Sequence, residues 1–125
     1  MKLPPYADVL GLSRDPDDRT ILVMPFSQDV LGRPGFVHGG AIGGLLEMAA
    51  IVALKEALEA EGGGRIKPIN VTVDFMRGGR LVETRARGHV ERLGRSIANL
   101  SAEAWQDDPA KPIAAARMNY LIVRD

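Results

Sequence analysis

Three residue types stand close together in this chain in an order suited to attack on a carbonyl. They are a histidine, His38, a glycine pair, Gly39 and Gly40, and a carboxylate, Glu47, nine residues after the histidine. Glu47 sits in the middle of the apolar run from Ala41 to Leu54. Glutamate is almost never fully buried without a partner, and an ionised carboxylate out of water is costly, so a chain that keeps one there has a use for it. A carboxylate so placed is suited to act as a general base on water or as a nucleophile. The turn before the run supplies the histidine and free backbone N–H groups at a positive helix end. An acid or base together with a pre-aimed donor is the minimum kit for that chemistry.

The elements that must position these groups are legible in outline. Residues 6 to 12 suit a short helix closed by Gly11, and Ser13 to Arg19 a polar turn segment. Thr20 to Phe26 reads as a first strand stopped near Pro25, and residues 27 to 37, with Gly32, Pro34 and Gly35, as a loop. The main helix is predicted from about Gly39 to Glu61, ending at Gly62-Gly63-Gly64. Its first half is apolar around most of its circumference, so it is enclosed; its second half is polar and exposed.

Beyond the glycines the pattern alternates. Ile69, Val71, Val73 and Phe75 share one strand face, opposite Asn70, Thr72 and Asp74. Val82, Thr84, Ala86, Gly88 and Val90 share a face of the next strand; Ala98, Leu100, Ala102 and Ala104 line a third, and Ala114, Ala116, Met118, Tyr120 and Ile122 a fourth. Short turns between long strands imply an antiparallel meander, and small inward faces let a helix approach the sheet closely. The expected class is α+β, one domain over residues 1–125, with one sheet wrapped around one long helix.

Composition narrows the function. Lys plus Arg and Asp plus Glu number 16 each, so net charge points neither to nucleic acid nor to a membrane surface. There is no cysteine, which removes disulfides, thiolate metal sites and a cysteine nucleophile; the absence suits a reducing cytoplasm. The first residues lack the apolar core of a signal peptide, and the apolar run at 41–54 is too short to span a bilayer. A soluble cytoplasmic protein is expected. Two distant histidines make a zinc site a poor reading, and His89, among charges, reads as a surface residue. Trp105 and Tyr120 read as packing residues. With no Gly-x-Ser-x-Gly, phosphate-binding loop or Gly-x-Gly-x-x-Gly, the serine hydrolase, NTPase and dinucleotide-binding readings fall.

The segment His38-Gly39-Gly40 with an acid nine residues after the histidine resembles the signature of hotdog-fold acyl-CoA thioesterases of the PaaI-like type. Asn70 to Arg77 resembles that family's first strand after the helix, Glu91 to Ile97 its later hairpin, and Val9-Leu10-Gly11 its opening. The resemblance covers essentially the whole chain and implies a hotdog fold. It also implies hydrolysis of an acyl- or aryl-CoA thioester to the free acid and coenzyme A, with no cofactor beyond the substrate's own. By that resemblance Glu47 is the catalytic carboxylate, and the Gly39 N–H polarises the thioester carbonyl. His38 orients the loop or hydrogen-bonds near the thioester, a loop-capping histidine being the alternative. Gly40, Phe36, Met48, Ile51 and Phe75 are candidates for lining the substrate pocket by proximity to the motif. Gly94-Arg95-Ser96, with Arg77 and Arg80, are candidates for the phosphates of coenzyme A, a forked guanidinium and an open backbone suiting phosphate.

One distance bears on assembly. Gly39 and Glu47 stand eight residues apart, roughly 12 Å along a helix. A base or nucleophile and an oxyanion donor must both lie about 3 Å from the reacting centre. If both act, they come from different protomers, so a homodimer is expected, with a dimer of dimers as an extension. Three departures from the family pattern stand out. Gly32 occupies a position where many relatives carry Asn or Gln, Ile51 one where some carry Ser or Thr, and Gly78-Gly79 replaces the usual Pro-Ala. Two rivals remain beside the thioesterase. A hotdog 3-hydroxyacyl-thioester dehydratase is disfavoured because its histidine lies further upstream. A non-catalytic acyl-CoA binding module is disfavoured because a sensor would normally need an attached output domain.

Overall fold

A computed structural model describes residues 2–124. The first helix, α1 (Tyr6–Leu10), follows two prolines and closes at Gly11, whose φ of 69° is the left-handed conformation glycine adopts freely. The expected polar turn holds a two-residue strand, β1 (Ser13–Arg14), paired with β2 (Ile21–Met24). Asp15 organises the connection: its carboxylate accepts from the Asp17 and Asp18 N–H groups and pairs with Arg85.

The long helix α2 (Gly39–Glu59) ends two residues earlier than expected. The chain leaves it through Gly62 and Gly63, both at positive φ, and the Gly63 N–H bonds the Leu58 carbonyl at 2.7 Å. Four long strands follow: β3 (Arg65–Phe75), β4 (Thr84–Leu93), β5 (Ile97–Trp105) and β6 (Ala114–Val123). All pairings are antiparallel, in the spatial order β1-β2-β4-β5-β6-β3. The expected meander is therefore correct only for β4-β5-β6. Strand β3 crosses to the far edge and pairs with β6. Val82 lies before β4, exposed in the connection.

The helix lies on the sheet because the sheet makes room for it. Ala86, Ala98, Ala102, Ala104, Ala114 and Ala116 are all buried on the inner face. The closest approach is at Gly88 of β4, where a Cβ would stand 2.3 Å from the Ala49 carbonyl oxygen and 2.7 Å from Ala50 Cα. Leu45, Leu46, Ala50 and Leu54 of α2 are fully buried against this face. This is the hotdog architecture that the resemblance implied.

Candidate active site

The site begins at the loop that feeds α2. Arg33-Pro34-Gly35-Phe36 turns tightly, with Gly35 at φ 88° and the Phe36 N–H bonded to the Arg33 carbonyl at 3.0 Å. Pro then Gly at the two central positions is the residue order a type II turn requires. A bridge between Leu31 and Val37 closes the base of this hairpin. A Cβ at Gly32 would stand 2.9 Å from His38 Cα, so the hairpin holds no side chain there.

His38 is the N-cap of α2. It is extended, at φ −62° and ψ 131°, and its Nδ1 accepts from the Gly40 N–H at 2.8 Å. That bond makes Nδ1 an acceptor and leaves any ring proton on Nε2. It also engages the Gly40 N–H. The N–H of Gly39, at the first helical position, has no intrahelical acceptor and no partner among the described residues. It is the free donor at the positive end of a 21-residue helix.

A cleft of about 550 Å³ is lined by Phe36, His38, Gly39, Phe75 and Arg77, with Gly78 and Gly79 at its wall. The Phe36 ring lies under the Arg33 guanidinium, whose Cζ is 4.3 Å from the ring centroid. The departure Gly78-Gly79 now has a physical reason. A Cβ at Gly78 would stand 2.5 Å from Phe36 Cε1, so the missing side chain is the space the ring occupies. Phe75 flanks Gly39, its ring 3.5 Å from where a Cβ on that glycine would be.

Glu47 is half-buried and does not line this cleft. Its Oε1 accepts a hydrogen bond from the Tyr120 hydroxyl at 2.9 Å, across 73 residues of sequence. Tyr120 is only 2% exposed. Burial, and then its bond to the Glu47 carboxylate, raise the Tyr120 hydroxyl well above the ordinary tyrosine range, so it stays a donor. Tyr120 is the residue that sequence reasoning passed over, as an inward-facing packing residue on β6. A signal existed: a buried phenol needs a partner, and a carboxylate set in an apolar helix run can accept from it.

Gly39, Gly43, Glu47 and Ile51 recur at intervals of four and form one row along α2, and all four are only half-buried. Gly43 has nothing within 4 Å of a Cβ; Gly44, in contrast, receives Tyr6 and Leu10 of α1. This row is the side of the helix that the sheet of its own chain leaves uncovered. On the inner face of β3, Val71 and Phe75 are 38% and 56% exposed for the same reason. Beyond β3 the sheet has no further strand, so its outer edge presents unpaired backbone groups.

The other expected positions scatter. Met48 is buried in the core and Ile51 packs against it, neither at the cleft. Gly40 faces a second depression shared with Tyr6, Asp29 and Leu31. Gly94, Arg95 and Ser96 line a separate hollow of about 420 Å³ with Arg92 and Asn99. Arg80 pairs with Asp107 and does not line the Gly39 cleft but an adjoining hollow that shares Arg77 and Gly78 with it. His89 Nε2 hydrogen-bonds the Glu103 carboxylate at 2.8 Å on the outer sheet face, as a surface residue.

With this geometry in hand, likeness to known proteins becomes informative. Residues 34–113 match the family model of the thioesterase superfamily, a span that holds the cleft, Gly39 and Glu47. The chain belongs to the thioesterase superfamily, and its chemistry is thioester hydrolysis. Among solved structures, a protein from Chromobacterium violaceum is 32% identical, covering 96% of this chain and 84% of that one, with a TM-score of 0.72. A mutant thioesterase from Pseudomonas aeruginosa is 25% identical over 94% of this chain and 85% of its own, with a TM-score of 0.79. A Bacillus halodurans protein crystallised with CoA shares the fold, at 16% identity and a TM-score of 0.82, covering 98% and 78% of the two chains. No curated protein matches the chain in sequence.

Proposed function

We propose that the protein is an acyl-CoA thioesterase acting as a homodimer, each site combining Glu47 of one protomer with the Gly39 N–H of the partner subunit. The observation that carries this reading is the free N–H of Gly39, a residue that lines an aromatic-walled cleft and shares a helix row with Glu47. Along one helix the two stand roughly 12 Å apart, too far to meet at one carbonyl. The uncovered row of α2, the exposed inner face of β3 and the open β3 edge lie on one side of the molecule and support a partner seated there. Pairing two β3 edges would continue the sheet and bring each Glu47 toward the other protomer's cleft.

In this mechanism the thioester carbonyl oxygen accepts from the Gly39 N–H. That donor is aimed before substrate arrives and strengthens as the oxygen gains charge. Glu47 either takes a proton from the attacking water and passes it to the departing sulfur, or adds to the carbonyl carbon to give a mixed anhydride that a water then cleaves to free acid and free Glu47. In both routes the C–S bond breaks and coenzyme A leaves as the thiol, its proton coming from that water. Phe36 and Phe75 offer apolar walls to the acyl group, and Arg77 at the cleft a guanidinium for a phosphate of CoA. The CoA ligand of the Bacillus halodurans protein supports that carrier.

Thiol release from a panel of acyl- and aryl-CoA esters tests the reading. Wild type is expected to turn over at least one of them. Glu47→Gln is expected to lose 10²-fold or more of kcat, in keeping with removal of a general base. Full activity in Glu47→Gln would refute the assignment.

A further inference from the structure

We infer that Tyr120 is a positioning residue for Glu47: its buried hydroxyl fixes one carboxylate oxygen and leaves the other free to act. The inference rests on the role proposed above for Glu47. Tyr120 is on β6, where inward and outward residues alternate, and its register neighbours are Ala98 of β5 and Pro68 of β3. An alanine and a proline beside it leave the hydroxyl no side-chain partner from the adjacent strands, and it donates to Glu47 Oε1 at 2.9 Å.

The carboxylate gains as much from the contact as the phenol does. Glutamate has three side-chain torsions, and holding such a side chain in one rotamer costs conformational freedom. Its helical neighbour one turn on, Ile51, offers no hydrogen bond, and Gly43, one turn back, has no side chain. Among the described residues, Tyr120 is the side chain that holds the Glu47 carboxylate in place. Because the hydroxyl stays protonated, the same oxygen of Glu47 is engaged throughout the working pH range. Reaction at the free oxygen then proceeds from one fixed orientation.

The test is Tyr120→Phe, which keeps the ring and removes the O–H. Displacing a reacting group by about 1 Å can cost a hundredfold, so a tenfold to hundredfold fall in kcat is expected. KM, and binding of a non-hydrolysable thioether analogue of the substrate, are expected to stay within about twofold, since uniform binding is untouched. Ile122→Val, two residues along β6 and also buried, controls for stability: it is expected to lower the melting temperature while sparing kcat. Unchanged kcat in Tyr120→Phe, or an equal loss in Ile122→Val, would overturn the inference. So would a Tyr120→Phe chain that does not fold, because a positioning hydroxyl is dispensable for folding. These failures differ from an active Glu47→Gln, which would remove the parent reading instead.

Discussion

The shared-site geometry is most directly probed by deleting the Gly39 N–H while leaving the helix in place. Gly39→Pro does this. Proline is favoured at the first helical position, where the N–H has no intrahelical acceptor to lose. The residue before a proline must be extended, and His38 already is, at φ −62° and ψ 131°. The added Cβ would meet the Phe75 ring at 3.5 Å, an ordinary contact. The variant is therefore expected to melt with the wild type yet lose about 10²–10³-fold in kcat, the cost of removing one oxyanion donor. Glu47→Gln is inactive for a different reason, and the two defects are complementary only if the site is shared. In a mixed dimer one site pairs an intact Glu47 with an intact Gly39, and the other site has neither.

Co-expression of the two variants under different affinity tags produces such dimers. A statistical mixture has half its dimers mixed, each with one working site of two, so about a quarter of the wild-type rate should return. Dimers purified through both tags should reach about half. Each parent variant alone stays at its residual rate. Tag-verified mixed dimers with no more activity than the sum of their parents would refute the argument, and with it the claim that helix length forces the site across two chains. A chain that sediments as a monomer while turning over substrate would refute it as well.

Two further perturbations test the scaffold. Gly88→Ala puts a Cβ 2.3 Å from the Ala49 carbonyl oxygen, against the 3.0 Å below which real contacts essentially do not fall, so helix and strand must separate by about 0.7 Å. Overpacking against backbone belongs at the upper end of the usual range, about 3 kcal/mol, or roughly 10 °C in melting temperature. Denaturant titration with an unchanged m-value should show it, and a loss under about 0.5 kcal/mol would refute the close approach. Asp15 concerns pH. The Asp17 and Asp18 N–H groups, with Arg85 adding to them, hold its carboxyl below the ordinary value of 3.8. A lowered folded pKa contributes stability that is fully present above the unfolded value and is lost as pH falls through the folded one. Asp15→Asn should therefore melt below wild type at pH 7, with the gap closing as pH drops beneath about 4. A gap that stays constant from pH 7 to pH 3 would refute the assignment.

What the sequence disclosed and what it withheld divide along a physical line. The enclosed helix, the four alternating strands and the breaks at glycine were legible because burial imposes periods of 3.6 and 2 on local sequence. The motif was legible for a related reason: a capping histidine, a donor glycine and a mid-helix acid are all fixed by one helix and its entry turn. The edge position of β3 was not legible. Its Val71, Val73 and Phe75 alternate like a core strand, and only the fold shows that Val71 and Phe75 are left exposed while Val73 alone packs on the core. The Phe36 ring in the space left at Gly78 joins two loops 42 positions apart, which no local pattern reports.

The candidate site follows the same division. Gly39, His38 and Glu47 share one helix, so their spacing could be read and even used to argue for two protomers. Tyr120 comes from the last strand and meets Glu47 only through the sheet's curvature around α2. On β6 its apolar flanks give it the alternation of any packing residue, and the phenolic oxygen leaves no mark on that pattern. Satisfaction of buried polar groups is the one rule that could have paired them in advance. A chain with a carboxylate set mid-helix in an apolar run has few side chains able to donate to it from an inward strand position, and on β3 to β6 Tyr120 is the inward residue bearing a phenol. Counting donors for such an acid is thus a sequence-level argument with structural reach. It would have moved Tyr120 from the core to the side of Glu47.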